Sequence, residues 1–252
     1  AVGHKWTANP HHLNSPTVYN SVLNTTQFWD GRAMTLVDQA KGPIEAEPEM
    51  ATPAALAVAR ISSLPEYQAE FKRKNLEQEF VSIDDYLKSL EMIGEAKPFE
   101  PVRYSRIAQL TQRSNQFNLR TIRYTEADIE RIANDDKYLT IYYTLKDKFG
   151  DHGLVSVVIL EKKSDTKVFV DTWLMSCRVL KRGMEEFIIN KLVETAKSNG
   201  FDTIISEYIE TPKNKMVKDI YKTMGFRETE PSKYELKVSE YKENKTFIKE
   251  EQ

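Results

Sequence analysis

The hydrophobic and polar positions of this chain fall into a regular rhythm only after Tyr104. Residues 106–113 predict a short helix and residues 120–124 a strand. Thr125-Glu126-Ala127-Asp128 has the form of a capping box, in which a hydroxyl and an acidic side chain three positions on satisfy each other's free amides. It opens a helix through Ile132. Residues 138–146 and 154–161 are rich in β-branched and aromatic side chains, and Phe149-Gly150-Asp151-His152-Gly153 between them is a hairpin signature. Residues 168–176 predict a third long strand. After a short loop, Phe187, Ile188, Leu192, Val193 and Ala196 recur at the helical period over residues 184–198, and Gly200 stops that helix. A strand at 201–208, a helix at 214–224 and a last strand at 234–238 follow. Strands first, then alternating strands and helices, describe an α/β (α+β) fold with a mixed sheet flanked by helices.

The chain before Tyr104 reads differently. Asn9-Pro10, Asn14-Ser15-Pro16 and Gly42-Pro43 break helices and leave a loop-rich, mostly helical segment. Two short helices are predicted, at 35–41 and 52–62. In the second, Thr52 is placed to cap and Pro53 to take the first helical position, where its missing N–H costs nothing. Ser82, with Asp85 three residues on, starts a further helix whose stripe of Ile83, Tyr86, Leu87 and Leu90 ends at Gly94. Lys97-Pro98 and Glu100-Pro101 then predict an extended linker. The expected organisation is a first segment over 1–73, a helix and Pro-containing linker over 74–103, and an α/β domain over 104–252.

Composition narrows the function classes. The 252 residues carry 36 Lys plus Arg against 38 Asp plus Glu, a net charge of −2, so no global field attracts nucleic acid or anionic lipid and neither is expected as a partner. The longest uncharged apolar run, 154–160, is seven residues, far short of the roughly 20 that span a bilayer. A soluble protein is expected on that ground, and the chain shows no charged-then-apolar targeting segment. The single cysteine, Cys177, excludes an internal disulfide, a thiolate metal cage and any CxxCH haem attachment, so neither metal nor haem is expected. Residues 1–73 hold six of the ten prolines and three of the four histidines, a seam that charge does not reveal.

Chemistry concentrates after the third long strand. A strand running through a short Arg/Gly loop into a helix leaves unpaired N–H groups and the positive end of the helix dipole facing outward, which suits a pyrophosphate or a phosphopantetheine phosphate. Arg178 and Arg182 flank that position, and Gly183 permits close backbone approach. The same pattern is also an ordinary turn with solvated basic side chains. Cys177, beside Arg178 and just before a helix N-terminus, is a candidate acyl-accepting thiolate, although a lone cysteine is commonly an inert core thiol. His152 is a weaker candidate base. Asn115, Gln116 and Asn118 form an amide cluster able to bind a polar acyl group or to bridge loops.

Two resemblances sharpen these readings. Asn14-Ser15-Pro16-Thr17-Val18, Gln27-Phe28-Trp29-Asp30-Gly31-Arg32-Ala33, Gln39-Ala40-Lys41-Gly42-Pro43-Ile44 and Glu49-Met50 resemble part of the N-terminal haem domain of bacterial di-haem cytochrome c peroxidases. That resemblance implies a distal haem ligand at His4, an aromatic between haems at Trp29, an acid–base carboxylate at Glu49, and a periplasmic setting; the chain lacks the family's CxxCH. Farther on, the strand–loop–helix unit, with Asn214 and Tyr221-Lys222-Thr223-Met224-Gly225-Phe226, is similar to the GNAT N-acetyltransferase fold, whose loop holds the diphosphate of coenzyme A. Gln109-Leu110-Thr111-Gln112, Asn115-Gln116-Phe117-Asn118, Arg123-Tyr124-Thr125, Phe149-Gly150-Asp151, Ser176-Cys177-Arg178-Val179-Leu180, Arg182-Gly183-Met184-Glu185 and Thr211-Pro212-Lys213-Asn214 resemble the C-terminal half of FkbH-like proteins. This second resemblance implies glyceryl-type acyl transfer from a small acyl donor to the phosphopantetheine thiol of an acyl carrier protein in polyketide or related biosynthesis. It also implies coenzyme A or phosphopantetheine contacts at Arg178, Val179, Lys181, Arg182, Gly183, Met184, Asn214 and Tyr221. Lys181 stands where those relatives carry glycine, so a left-handed backbone there would cost roughly 1–2 kcal/mol.

Overall fold

The computed structural model describes residues 27, 33–46 and 50–251 and divides into two units, Ala1–Lys74 and Asn75–Gln252. In the first unit, helix α1 (Leu36–Glu45) is capped by Thr35, whose hydroxyl accepts from the Asp38 amide at 3.1 Å. It runs on through Gly42-Pro43, where a break was expected. Pro43 lies in the last turn, where the missing N–H removes a single helical hydrogen bond. Helix α2 (Ala54–Ser62) takes Pro53 as its N-cap; the Thr52 hydroxyl donates to the Met50 carbonyl at 2.9 Å instead of capping. Helix α3 (Pro65–Glu79) has no counterpart among the expected elements, because its charged residues surround it and no apolar stripe marks it.

The second unit begins at Asn75, within α3, and continues with α4 (Ile83–Ser89) and β1 (Ile93–Lys97), followed by α5 (Tyr104–Arg113) and α6 (Glu126–Ala133). The long strands β2 (Tyr138–Asp147), β3 (Gly150–Lys162) and β4 (Lys167–Met175) then lead to α7 (Met184–Ser198). β5 (Thr203–Glu207), α8 (Ile220–Thr223), β6 (Arg227–Glu230), β7 (Lys233–Lys237) and β8 (Lys249–Glu250) complete it. The strands form one mixed eight-stranded sheet in the order β6-β7-β5-β4-β3-β2-β1-β8, parallel at β4/β5 and β1/β8 and antiparallel elsewhere.

Both faces of the sheet are covered, which is why its central strands read as near-continuous apolar runs. Ile141, Tyr143, Val155, Val158, Leu160 and Trp173 belong to one core with α4 and α7, and Tyr142, Leu154, Val157, Ile159 and Leu174 belong to another with α5 and α6. The capping box at Thr125 is present in full, with the Asp128 amide donating to the Thr125 hydroxyl and the Asp128 carboxylate accepting from the Thr125 amide.

Three expectations are corrected. Residues 93–97, assigned to the linker, are an edge-side strand paired antiparallel with β2. Gly94 ends no helix; it sits in that strand where a Cβ would lie 2.9 Å from Ile248 and 3.0 Å from Phe187, so close packing, not chain reversal, requires the glycine. Residues 120–124 form no strand, because the Arg120 and Arg123 side chains bond sideways to other segments and the backbone joins no ladder.

Candidate functional site

The loop leaving β4 positions the candidate chemistry. The Ser176 amide donates to the Val155 carbonyl at 2.7 Å, after which Cys177–Val179 make one 3-10 turn and the Cys177 thiol is exposed. The exposure separates it from the inert core thiol that was the competing reading. The chain then passes through Lys181 at φ 61°, which carries the strain foreseen for a non-glycine residue there, and Gly183 at φ 79°, the N-cap of α7. The Gly183 carbonyl accepts from the Thr246 hydroxyl at 2.9 Å, so the left-handed turn itself accounts for the glycine.

Around that turn the expected ligand contacts divide. Val179 and Met184 are fully buried core side chains. Arg178 is exposed, with its Nε 3.4 Å from the Ser176 hydroxyl. Arg182 turns to the β2–β3 hairpin, its Nη1 lying 3.3 Å from Asp147 Oδ2 and 3.3 Å from His152 Nε2. His152 Nε2 is 3.0 Å from the same Asp147 oxygen, whose carboxylate partner Oδ1 also accepts the Phe149 and Gly150 amides. His152 is thus built into a hairpin clasp, and among the described residues no hydrogen bond joins it to Cys177.

A residue outside the expected set occupies the start of α7. Glu185, in its first turn and buried, turns its carboxylate back to accept the Lys181 amide at 3.3 Å. Burial pushes its carboxyl above the ordinary value, opposed by the amides of Glu185, Lys181 and Met184, which favour the charged form. An acid in the first turn after a glycine N-cap was a legible signal for this arrangement, since helix dipoles attract anions whether free or covalently attached.

Asn214 and Tyr221 lie deep in the second unit. The Asn214 amide donates to the Asn118 and Ile209 carbonyls at 2.9 and 3.0 Å and accepts from the Thr211 amide at 2.7 Å and the Tyr208 hydroxyl at 3.1 Å. Every hydrogen-bonding position of that side chain is therefore taken by protein. Tyr221 is fully buried against Trp173, Phe226 and Tyr234; its hydroxyl has no hydrogen-bond partner, and burial holds its proton on well above the ordinary range. The amide cluster is also bonded within the protein: Asn118 Oδ1 accepts the Thr121 amide at 2.8 Å, and Asn115 Oδ1 accepts from the Arg123 guanidinium at 2.5 Å. His4, Trp29 and Glu49 lie outside the described residues. Among the described residues no group of three or more His, Cys, Asp or Glu could hold a metal ion, and no helix is long and apolar enough to cross a membrane.

Comparison with known proteins separates the two parts of the chain. Two curated relatives align over 73 residues, 29 % of this chain. They are the cytochrome c551 peroxidase of Nitrosomonas europaea, 47 % identical over 21 % of its length, and that of Pseudomonas aeruginosa, 48 % identical over 20 %. The chain spans about a fifth of the length of these relatives. Among solved structures, spermidine N-acetyltransferase from Vibrio cholerae in complex with CoA and spermine is similar at a TM-score of 0.46 and 12 % identity, covering 59 % of this chain and 97 % of that one. Residues 1–97 match the model of the di-haem cytochrome c peroxidase family.

Proposed function

We propose that the second unit transfers acyl groups through a thioester on Cys177, drawing on a small acyl donor or an acyl-CoA and delivering a glyceryl-type acyl group to the phosphopantetheine thiol of an acyl carrier protein in the cytoplasm. The observation that carries this reading is the exposed Cys177 thiol at the carboxyl end of β4, in the loop that feeds α7. In the first step the Cys177 sulfur attacks the donor's thioester carbonyl, a carbon–sulfur bond to Cys177 forms, and the bond to the donor sulfur breaks. The donor thiol leaves carrying the proton that Cys177 gave up. Exchange of one thioester for another is close to isoenergetic, so the second transfer to a carrier thiol runs as readily as the first. Incubation with a thioester donor is expected to add the acyl mass to the intact protein and to add nothing to Cys177→Ala. An adduct that persists in Cys177→Ala, or saturable binding of the carrier without any adduct, replaces transfer by a non-catalytic binding role.

A second reading attaches to the first residues, where His4, Trp29 and Glu49 would supply a peroxidase's distal ligand, inter-haem aromatic and acid–base carboxylate. The matched residues contain no cysteine, so thioether attachment of haem has no site there. Expression with haem-maturation factors is expected to give no Soret band; a stoichiometric band would restore the peroxidase reading.

A further inference from the structure

A parallel strand pair joined by a crossover helix offers ligands two positions: the free amides at the start of the helix, and the crevice beyond the carboxyl ends of the strands. In this chain the crevice is filled by the chain itself, and a buried carboxylate stands in the first turn of the helix. The β4/β5 pairing stops at Val170 and Ser206, although β4 continues to Met175. Residues 117–119 enter the gap. The Leu119 amide donates to the Trp173 carbonyl at 3.2 Å, the Met175 amide to the Phe117 carbonyl at 3.0 Å, and the Ile209 amide to the Leu119 carbonyl at 2.9 Å. Phe117 packs edge-on to Trp173, and Asn214 holds the Asn118 carbonyl from behind. Arg120 then bridges the two parting strands, with Nη1 2.8 Å from Asp171 of β4 and Nε 2.6 Å from Glu207 of β5. Phe117, Asn118 and Leu119 are at most 2 % exposed. Ahead of the helix, whose N-cap Gly183 makes no side-chain cap bond, the Glu185 carboxylate accepts the Lys181 amide.

A dinucleotide-like cofactor with a long amide arm, such as coenzyme A, needs an anion position and an extended slot together, and the residues present do not fit it in that pose. We propose that residues 117–119 fill that slot permanently. Thioesters then reach Cys177 from the open side of its loop, recognised by their acyl end and not by a nucleotide. This rests on the acyl-transfer reading only for its kinetic test. Acylation of Cys177 by acetyl-CoA and by the truncated thioester acetyl-N-acetylcysteamine is expected to agree within about threefold, and a preference of about a hundredfold for acetyl-CoA overturns the proposal. If neither donor acylates Cys177, the transfer reading fails, and amide exchange decides the inference alone. The Leu119, Met175 and Ile209 amides are expected to exchange slowly and equally with and without millimolar coenzyme A. Loss of their protection on adding coenzyme A would show a displaceable segment and overturn the proposal.

Discussion

Helices α2 and α7 meet opposite fates. α2, with sequence AALAVARIS, is the more apolar of the two per residue, yet none of its side chains is buried; Leu56, Val58 and Ile61 are all exposed. α7 is longer and more mixed, and it buries eight of its fifteen residues. Hydrophobicity therefore does not decide burial by itself. α7 lies on the sheet, whose strands present Tyr143, Val158 and Trp173 to it, whereas the first unit contains no sheet among its described residues and exposes Met34, Val37, Tyr67 and Phe71 as well. Burial at about 25 cal/mol per Å² stabilises only where a complementary surface exists.

That contrast predicts a graded response to substitution. Trp173→Ala, which empties a fully buried site touching Phe117 and Tyr221, is expected to cost about 3–5 kcal/mol in chemical denaturation followed by near-UV circular dichroism. A loss under about 1 kcal/mol would mean that this core is as loose as α2. Gly94→Ala pushes a Cβ against Ile248 and Phe187 and is expected to cost about 1–3 kcal/mol by overpacking in the same measurement. Glu185 gives a pH signature. Its folded-state value is raised, so the folded chain holds that proton more tightly than the unfolded chain does. Stability contributed by this group is present below the ordinary value of 4.5 and is lost as pH rises through the raised value. Melting temperatures across that window are expected to fall less steeply in Glu185→Gln, and an unchanged slope would place Glu185 in water. At the small end, Leu56→Ala in α2 is expected to shift stability by no more than about 0.5 kcal/mol, and a larger loss would reveal a partner surface for α2.

What could be read from the chain was what depends on neighbours in sequence. The capping box at Thr125, the hairpin after β2 and the helical period of α7 all follow from residues within a few positions of one another. The candidate site was legible as far as its loop: Cys177 is exposed where the pattern put it, and Gly183 caps α7. The burial and side-chain partners of Val179, Met184, Asn214 and Tyr221 come from segments far away in the chain, which no local pattern shows. Asn214, for instance, spends one N–H on Asn118, 96 residues earlier.

The sequence by itself determined the cap at Thr125, the hairpin after β2 and the period of α7, that no cysteine is available to carry haem in the first part, and which thiol could carry an acyl group. Only the tertiary structure decided that residues 117–119 bond between β4 and Ile209, that Arg120 locks Asp171 to Glu207, and that Gly94 sits against Phe187. The reason is physical: a period or a cap is satisfied within one or two turns of chain, whereas a backbone amide left open by parting strands accepts whichever distant segment folds against it.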